Sequence, residues 1–533
     1  MREGNKLLAV VAMIVALALA IPGAALASNQ QEMVLQDDSQ LIYSTPDHVL
    51  LTLQLLKGLG VDRVRVSVVW SLLAPKPLST HRPHFDATNP AGYPAGAWSR
   101  YDYLDRMASQ VGIKLYFQPT APAPYWATTP LKVAQGYRYA NNPNAKQFGE
   151  FVQAVARRYS GAYSAPDSTG KVAKLPRISY WGIWNEPNIG GWMTPQWSTL
   201  KNGTKVEASP AIYRGMVDAA WRGLVRTGHR SDTILIGETA AYGAGHKGYG
   251  ASMDPLTFVR AFYCVGTSYE PLKGKRAGEL GCPKSGSRGA FARAHPALFQ
   301  ASGWAHHPYD FAHPPTFHRS DPNSATLANL SRIETSLDRA DRAYHKAAGM
   351  AIYITEWGVQ SDPPNPFQKF STAQQAAYIN QGEYMAWKNP RVNAFAQFLL
   401  VDDAPNTKYA KGSRAYWSTF DSGLFLYEGT EPAQPKPAYY AFQLPIWLPD
   451  SKHGGNVAVW AQIRPGDGAA GRTGTLQFQA NGASTWTPVT QVSSANPEGF
   501  ITTHVSLPAA GGLRLAWTNA AGQLQYSRTA QVG

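Results

Sequence analysis

The chain is 533 residues long, 44% hydrophobic, 12% aromatic and only 16% charged. Such a composition buries a large core and excludes a disordered polypeptide, a collagen and a disulfide-dense miniprotein. Lys and Arg number 49 against 35 Asp and Glu, a formal charge of +14; this suits anionic surroundings, yet no long basic run points to nucleic acid.

Arg2 and Lys6 precede an apolar run from Leu7 to Ala20, followed by Pro22 and by Ala25-Leu26-Ala27. A basic start, a short apolar centre and small residues before a cut read as a signal peptide over 1–27. The alternative, an uncleaved anchor, needs about 20 apolar residues to span a bilayer, more than this run offers. The protein is therefore expected to be secreted or held in the cell envelope, with no membrane span after cleavage.

From 28 to 448 strand-like and helix-like runs alternate. A strand is expected near 32–43. Thr45-Pro46-Asp47 then supplies a cap, a proline for the first helical turn and an acid; Leu50, Leu53 and Leu56 share one face, and Gly58 and Gly60 end the helix. In Val61–Trp70, Val64, Val66 and Val68 alternate with Arg63, Arg65 and Ser67, the period of a strand. The pattern continues with helix 98–111, strand 113–119, helix 143–159, strand 178–185, helix 209–227 and strand 232–238. Helix 254–263 and a long insertion at 265–300, the expected wall of a binding cleft, lead to strand 302–307. Helix 324–347, strand 350–356, helix 372–387 and strand 392–400 follow. Strict alternation argues for parallel strands joined by helices, and eight units over roughly 400 residues fit an α/β fold of the (β/α)8 TIM-barrel type. The only cysteines, Cys264 and Cys282, border the insertion; an oxidising compartment favours a disulfide between them, with two free thiols as the alternative. Residues 449–533 carry short strands separated by Gly, Asn, Pro and Ser, the pattern of a small immunoglobulin-like β-sandwich.

Chemistry enters at two strand ends. The fourth strand runs into Trp184-Asn185-Glu186-Pro187 and the seventh into Thr355-Glu356-Trp357-Gly358. Both glutamates fall at the carboxyl ends of barrel strands, where barrel active sites lie. Strands four and seven stand across the barrel from each other, so the two carboxyls converge over its mouth. One then gives a proton to a leaving oxygen while the other attacks an anomeric carbon, the equipment of glycoside hydrolysis.

On these residues the barrel resembles glycoside hydrolase clan A, and Gly423-Leu424-Phe425 and Lys436-Pro437-Ala438-Tyr439 resemble the barrel-closing segment of its family 5 (cellulase-like) and family 39-like members. The resemblance implies a retaining glycosidase with Glu186 as acid/base and Glu356 as nucleophile, cleaving an equatorial (β-type, or α-L-arabino-type) bond in an oligo- or polysaccharide. It implies that Asn185 holds the sugar 2-hydroxyl, that Arg65 orients the nucleophile and that His307 and Tyr309, within His306-His307-Pro308-Tyr309, support it. Many clan members place a Trp on the eighth strand as a floor for the sugar; this chain has Ala394-Phe395-Ala396-Gln397-Phe398 there. Glu238, ending the fifth strand, reads as a third carboxylate at the mouth and a sugar ligand. Trp126, Trp192 and Trp357 fall in βα loops and read as stacking faces for pyranose rings. Adjacent histidines project in different directions, so no metal site is indicated, and the chemistry needs no cofactor. The other readings are a noncatalytic carbohydrate-binding or envelope protein on a barrel scaffold, and a transglycosylase, which shares the covalent intermediate. The basic balance is compatible with an acidic glycan or an anionic envelope as partner.

Overall fold

A computed structural model describes residues 28, 30–131, 137–427, 434–452, 455–464, 472–494 and 496–533; the expected signal peptide lies outside them. Eight parallel strands close into a barrel: β1 (Glu32–Gln36), β2 (Arg63–Val69), β3 (Lys114–Thr120), β4 (Tyr180–Gly182), β5 (Thr233–Ala240), β6 (Gly303–His307), β7 (Ala351–Ile354) and β8 (Val392–Phe398). Each pairs with its chain neighbours, and β8 pairs with β1 to seal the ring. The helices packed outside are α1 (Pro46–Gly58), α2 (Ser99–Val111), α3 (Ala145–Arg158), α4 (Ser209–Arg226), α5 (Pro255–Phe262), α6 (Leu330–Ala343), α7 (Thr372–Trp387) and α8 (Pro437–Gln443). The alternation of β2 holds in space. Val64, Val66 and Val68 join the core between strands and helices, whereas Arg63 turns inward over the ring of Tyr180 at 3.8 Å.

Two strands are shorter than their apolar runs suggest. The first stops at Gln36 because Asp37 caps the helical turn Asp38–Leu41, accepting the N–H of Gln40 at 3.1 Å. The fourth stops at Gly182, and Trp184 and Glu186 beyond it take left-handed φ values of 66° and 37°. Those turns lift the chain out of the sheet and over the barrel mouth.

After α8 the chain forms antiparallel sheets. One holds β9 (Ile446–Trp447), β10 (Asn456–Gln462) and β13 (Phe500–Ser506). The other holds β11 (Thr473–Ala480), β12 (Thr487–Ser493), β14 (Gly511–Thr518), β15 (Leu524–Tyr526) and β16 (Ala530–Val532). Leu476, Leu513, Leu515 and Val459 pack between them. Ile446–Trp447, inside the range read as barrel, pairs with this C-terminal sheet. Trp460 is buried against Trp387 of α7 and Phe500, so its ring is packing between the barrel and the sheets.

A buried ion pair ties the sheets to the barrel. Glu383 of α7 accepts from Arg464 Nη2 at 2.7 Å and from Asn380 Nδ2 at 3.1 Å. Removing one partner leaves the other buried and uncompensated, so Glu383→Ala is expected to cost about 3–5 kcal/mol, read as a lower urea midpoint. Cys264 and Cys282 form a disulfide 18 residues apart. Closing a loop of that length restricts the unfolded chain by about 3 kcal/mol, so Cys264→Ser with Cys282→Ser is expected to lose about that much stability in the same measurement.

Candidate active site

The loop after β4 is held from several sides. Tyr213 of α4 donates its hydroxyl to the Ile183 carbonyl at 2.8 Å and accepts the Gly237 N–H at 2.9 Å, fixing β4 against β5. Asn188 donates to the carbonyls of Ala240 and Met253 and accepts the Ala240 N–H at 2.9 Å. Between these anchors the positive φ values of Trp184 and Glu186 set Asn185 down into the barrel and Glu186 on the rim of a cavity of about 380 Å³. Glu356, just past β7, lines the same cavity. One oxygen of Glu186 and one of Glu356 lie within 4.8 Å of each other.

Arg65, fully buried on β2, organises the floor. Its guanidinium donates to Glu356 Oε1 at 2.5 Å, Asn185 Oδ1 at 2.8 Å, Glu238 Oε2 at 3.2 Å and the Gln36 side chain. Four acceptors from four strand ends match a planar fork with five N–H groups. Tyr309 donates to the other oxygen of Glu356 at 3.4 Å.

His307 stands between the acids. Nδ1 lies 3.0 Å from Glu186 Oε1 and 3.6 Å from Glu356 Oε2, and Nε2 lies 3.0 Å from Glu238 Oε2. Burial alone would lower its pKa, but the carboxylates of Glu356, Glu186 and Glu238 overcome this and push it up to about 9. The contribution of this charge to stability is present in full below the ordinary histidine value near 6.5 and is lost as pH rises through about 9. The stability gap between wild type and His307→Gln is therefore expected to shrink between about pH 6.5 and pH 9, followed by urea midpoints across that window.

Glu186, His307 and Glu356 each direct one ligand-type atom into a shared space. The donor set does not fit a metal ion: His307 faces carboxylates with both nitrogens and carries a proton, and the Arg65 guanidinium lies against Glu356. A divalent cation there would meet two fixed positive charges.

The structure brings together Glu186, Glu356, Asn185, Arg65, His307 and Tyr309, and sets Trp192 in the cavity wall. Three expected ligands lie elsewhere. Glu238 is fully buried beneath the site, bonded to Tyr116, Thr355, His307 and Arg65. A bulge turns it inward: the β5–β6 register shifts past Gly237, where φ values of 102° and 49° at Gly237 and Glu238 break the alternation. Burial alone would raise its pKa, but Arg65 and then His307 hold it below the usual carboxylate range. Glu238 therefore balances the charge of the floor and is not among the residues that line the cavity. Trp126 packs edge-on to Trp70 and Phe85 and donates to the Pro75 carbonyl at 3.1 Å. Trp357 lies between the sheet and α7, against Phe395 and Gly382. Neither ring lines the cavity.

None of the cavity-lining residues comes from 265–300; Arg214 of α4 instead holds that insertion to the outside through the carbonyls of Leu280 and Gly281. The wall comes from Phe311 after β6, Phe398 at the end of β8 and Phe420 beyond it. These pack with Tyr309 into one apolar face where the eighth-strand Trp is missing. Sequence reasoning missed Asp38 and Ser67 in the same lining, although Asp37-Asp38 directly after an apolar strand was an available signal. Asp402, in the loop after β8, is buried in an ion pair with Lys436 at 2.8 Å.

No protein-family model matches the chain, and no curated protein matches it in sequence. Solved structures do. A β-xylosidase from Caulobacter crescentus is 12% identical with a TM-score of 0.45, covering 91% of this chain and 98% of its own. A family 51 α-L-arabinofuranosidase from Bifidobacterium longum is 12% identical with a TM-score of 0.43, covering 90% and 97%. The virulence factor SghA from Agrobacterium tumefaciens is 17% identical with a TM-score of 0.46, covering 78% and 97%. The barrel itself rests on its own closed ring of paired strands.

Proposed function

We propose that this protein is an exported, retaining glycoside hydrolase of the clan A type, cleaving an equatorial O-glycosidic bond in an oligo- or polysaccharide. One observation carries the reading: two carboxyl groups face each other across a cavity with oxygens within 4.8 Å. Retaining enzymes keep their carboxyls about 5–5.5 Å apart, whereas inverting ones leave about 6.5–9.5 Å for a water.

In the first step Glu356 attacks the anomeric carbon and the bond to the leaving oxygen breaks. Glu186 gives that oxygen its proton. The sugar is now an ester of Glu356. In the second step Glu186, as carboxylate, takes a proton from water while the water oxygen attacks the anomeric carbon, which frees Glu356 and restores the acid. Arg65 and Tyr309 fix the attacking carboxylate from two directions. The Nδ1 of His307 shares a proton with Glu186 Oε1 at 3.0 Å, which orients the acid toward the leaving group. Asn185, held by Arg65 at 2.8 Å, lines the cavity where the sugar 2-hydroxyl would lie.

The test is proton NMR of the anomer first released from a panel of aryl glycosides. The expected product keeps the configuration of the substrate. An inverted first product overturns the two-step mechanism. Binding of glycans without turnover of any substrate favours the noncatalytic reading, and a dominant product carrying a sugar acceptor favours transglycosylation.

A further inference from the structure

The cavity has two unlike walls. Tyr309, Phe311, Phe398 and Phe420 form one, with Tyr309 stacked on Phe311 at 4.9 Å and Phe398 edge-on to Phe420 at 5.2 Å. Such a face takes the C–H side of a pyranose ring. Gln36, Asp38, Ser39 and Ser67, from the ends of β1 and β2, form the adjoining one, with Gln36 in register beside Phe398, and Asp403 joins the lining from beyond β8 next to Phe420. Four carboxylates, those of Asp38, Asp403, Glu186 and Glu356, thus line the cavity, and no Lys or Arg does among the described residues.

The cations packed behind these walls are engaged. Arg65 and His307 serve the floor acids. Arg319 lies over the ring of Tyr242 at 4.1 Å and pairs with Asp310 at 3.1 Å. Lys436 is buried on Asp402. Asp38 and Asp403 are themselves held by groups that carry no charge. Asp38 accepts the Ser67 N–H at 3.1 Å and the Gln36 amide at 3.4 Å. Asp403 accepts the Phe420 N–H at 3.1 Å. Among the described residues no Lys or Arg lines the cavity to receive an acidic substituent, which would stand among carboxylates.

We propose that this cavity selects glycosyl residues without a negative charge, and that Asp38 and Asp403 are specificity-determining residues that turn uronides away. The inference rests on the glycosidase reading of the site and names its substrate class: a neutral sugar, one face on the aromatic wall and its hydroxyls toward Asp38 and Asp403. Burial, the largest cause at each, raises Asp37 and Asp421 to about 7 and Asp402 to about 6, and raises Asp38 and Asp403 as well, so the charge of this lining grows as pH rises. The chain's formal charge of +14 is therefore no signature of an acidic substrate at this site.

The experiment compares matched aryl glycosides and their C6-oxidised uronides across several sugars, using the mature chain. Neutral members are expected to lead in kcat/KM by roughly a hundredfold or more, the scale of an unscreened like-charge contact. Raising the ionic strength narrows the gap by favouring the uronide. Asp38→Asn combined with Asp403→Asn is expected to narrow it at least tenfold. A uronide processed as well as its neutral partner, or a ratio that neither salt nor the double variant moves, overturns the proposal. Calorimetric binding of hydrolysis-resistant thioglycosides, neutral and uronate, separates the two readings. Absent turnover with neutral-selective binding sinks the hydrolase reading and keeps this one. Turnover with uronate-selective binding does the reverse, and binding of neither ligand overturns this proposal.

Discussion

Glu356→Gln is expected to lower kcat/KM by about 10⁴-fold or more on every glycoside the protein cleaves, because no other group in the cavity is placed to attack the anomeric carbon. Glu356 alone among the cavity carboxylates is held by both Arg65, at 2.5 Å, and Tyr309, at 3.4 Å. Glu186→Gln is expected to behave differently. With an alcohol leaving group the loss is about 10²–10⁴-fold, the usual worth of a positioned general acid. With 2,4-dinitrophenolate, which leaves without a proton, the first step is largely spared and the glycosyl-enzyme accumulates, since its hydrolysis now lacks a base. Azide, needing no base, then speeds turnover. The contrast between the two variants is what matters. Equal losses on both leaving groups for Glu186→Gln, or Glu356→Gln keeping a tenth of its activity, would remove these roles.

Arg65→Met is expected to be the most damaging single change to the barrel floor. The guanidinium is fully buried and engages Glu356, Glu238, Asn185 and Gln36 at once. Deleting it strips Glu238 of its main counter-charge in a site closed to water. Breaking a buried ion pair from one side costs about 3–5 kcal/mol. Loss of the fork also frees the Glu356 carboxylate to rotate, and a misplacement near 1 Å costs about 10²-fold in rate. Arg65→Lys restores the charge but not the geometry, because a compact ammonium cannot bridge four acceptors. It is expected to recover part of the stability and little of kcat. Urea unfolding and kcat on one aryl glycoside check both expectations; recovery of full kcat in Arg65→Lys would mean that charge alone positions the nucleophile.

Much of the architecture was legible from local pattern. The alternation of Val64, Val66 and Val68 with Arg63, Arg65 and Ser67 marked a strand with one face in each layer. Thr45-Pro46-Asp47 marked a helix start, which the structure places at Pro46. Glu186 and Glu356 could be placed at one mouth because each ends an apolar run, and strand ends in such a ring share one rim. His307 and Tyr309 came from the resemblance of His306-His307-Pro308-Tyr309 to clan A, not from a local period.

What could not be read concerns the direction a side chain takes once regular pairing stops. Glu238 looked like a residue of the mouth because it ends an apolar run, yet the bulge at Gly237 turned it beneath the floor. A Cβ at Gly237 would meet the Trp304 ring at 2.5 Å, and that close approach belongs to β6, not to the local chain. Trp126 and Trp357 sit in βα loops as expected, but Trp70 claims the ring of the first and Phe395 of β8 that of the second. Phe420 reaches the cavity from a segment with no helix or strand periodicity. The amino-acid sequence by itself thus determined the elements, their order and the two opposed acids, because periods of 2 and 3.6 residues are set by neighbouring backbone. Only the tertiary structure decided which polar groups meet the ligand and which hold the floor, since that depends on bulges, loop paths and long-range pairing that no local period encodes.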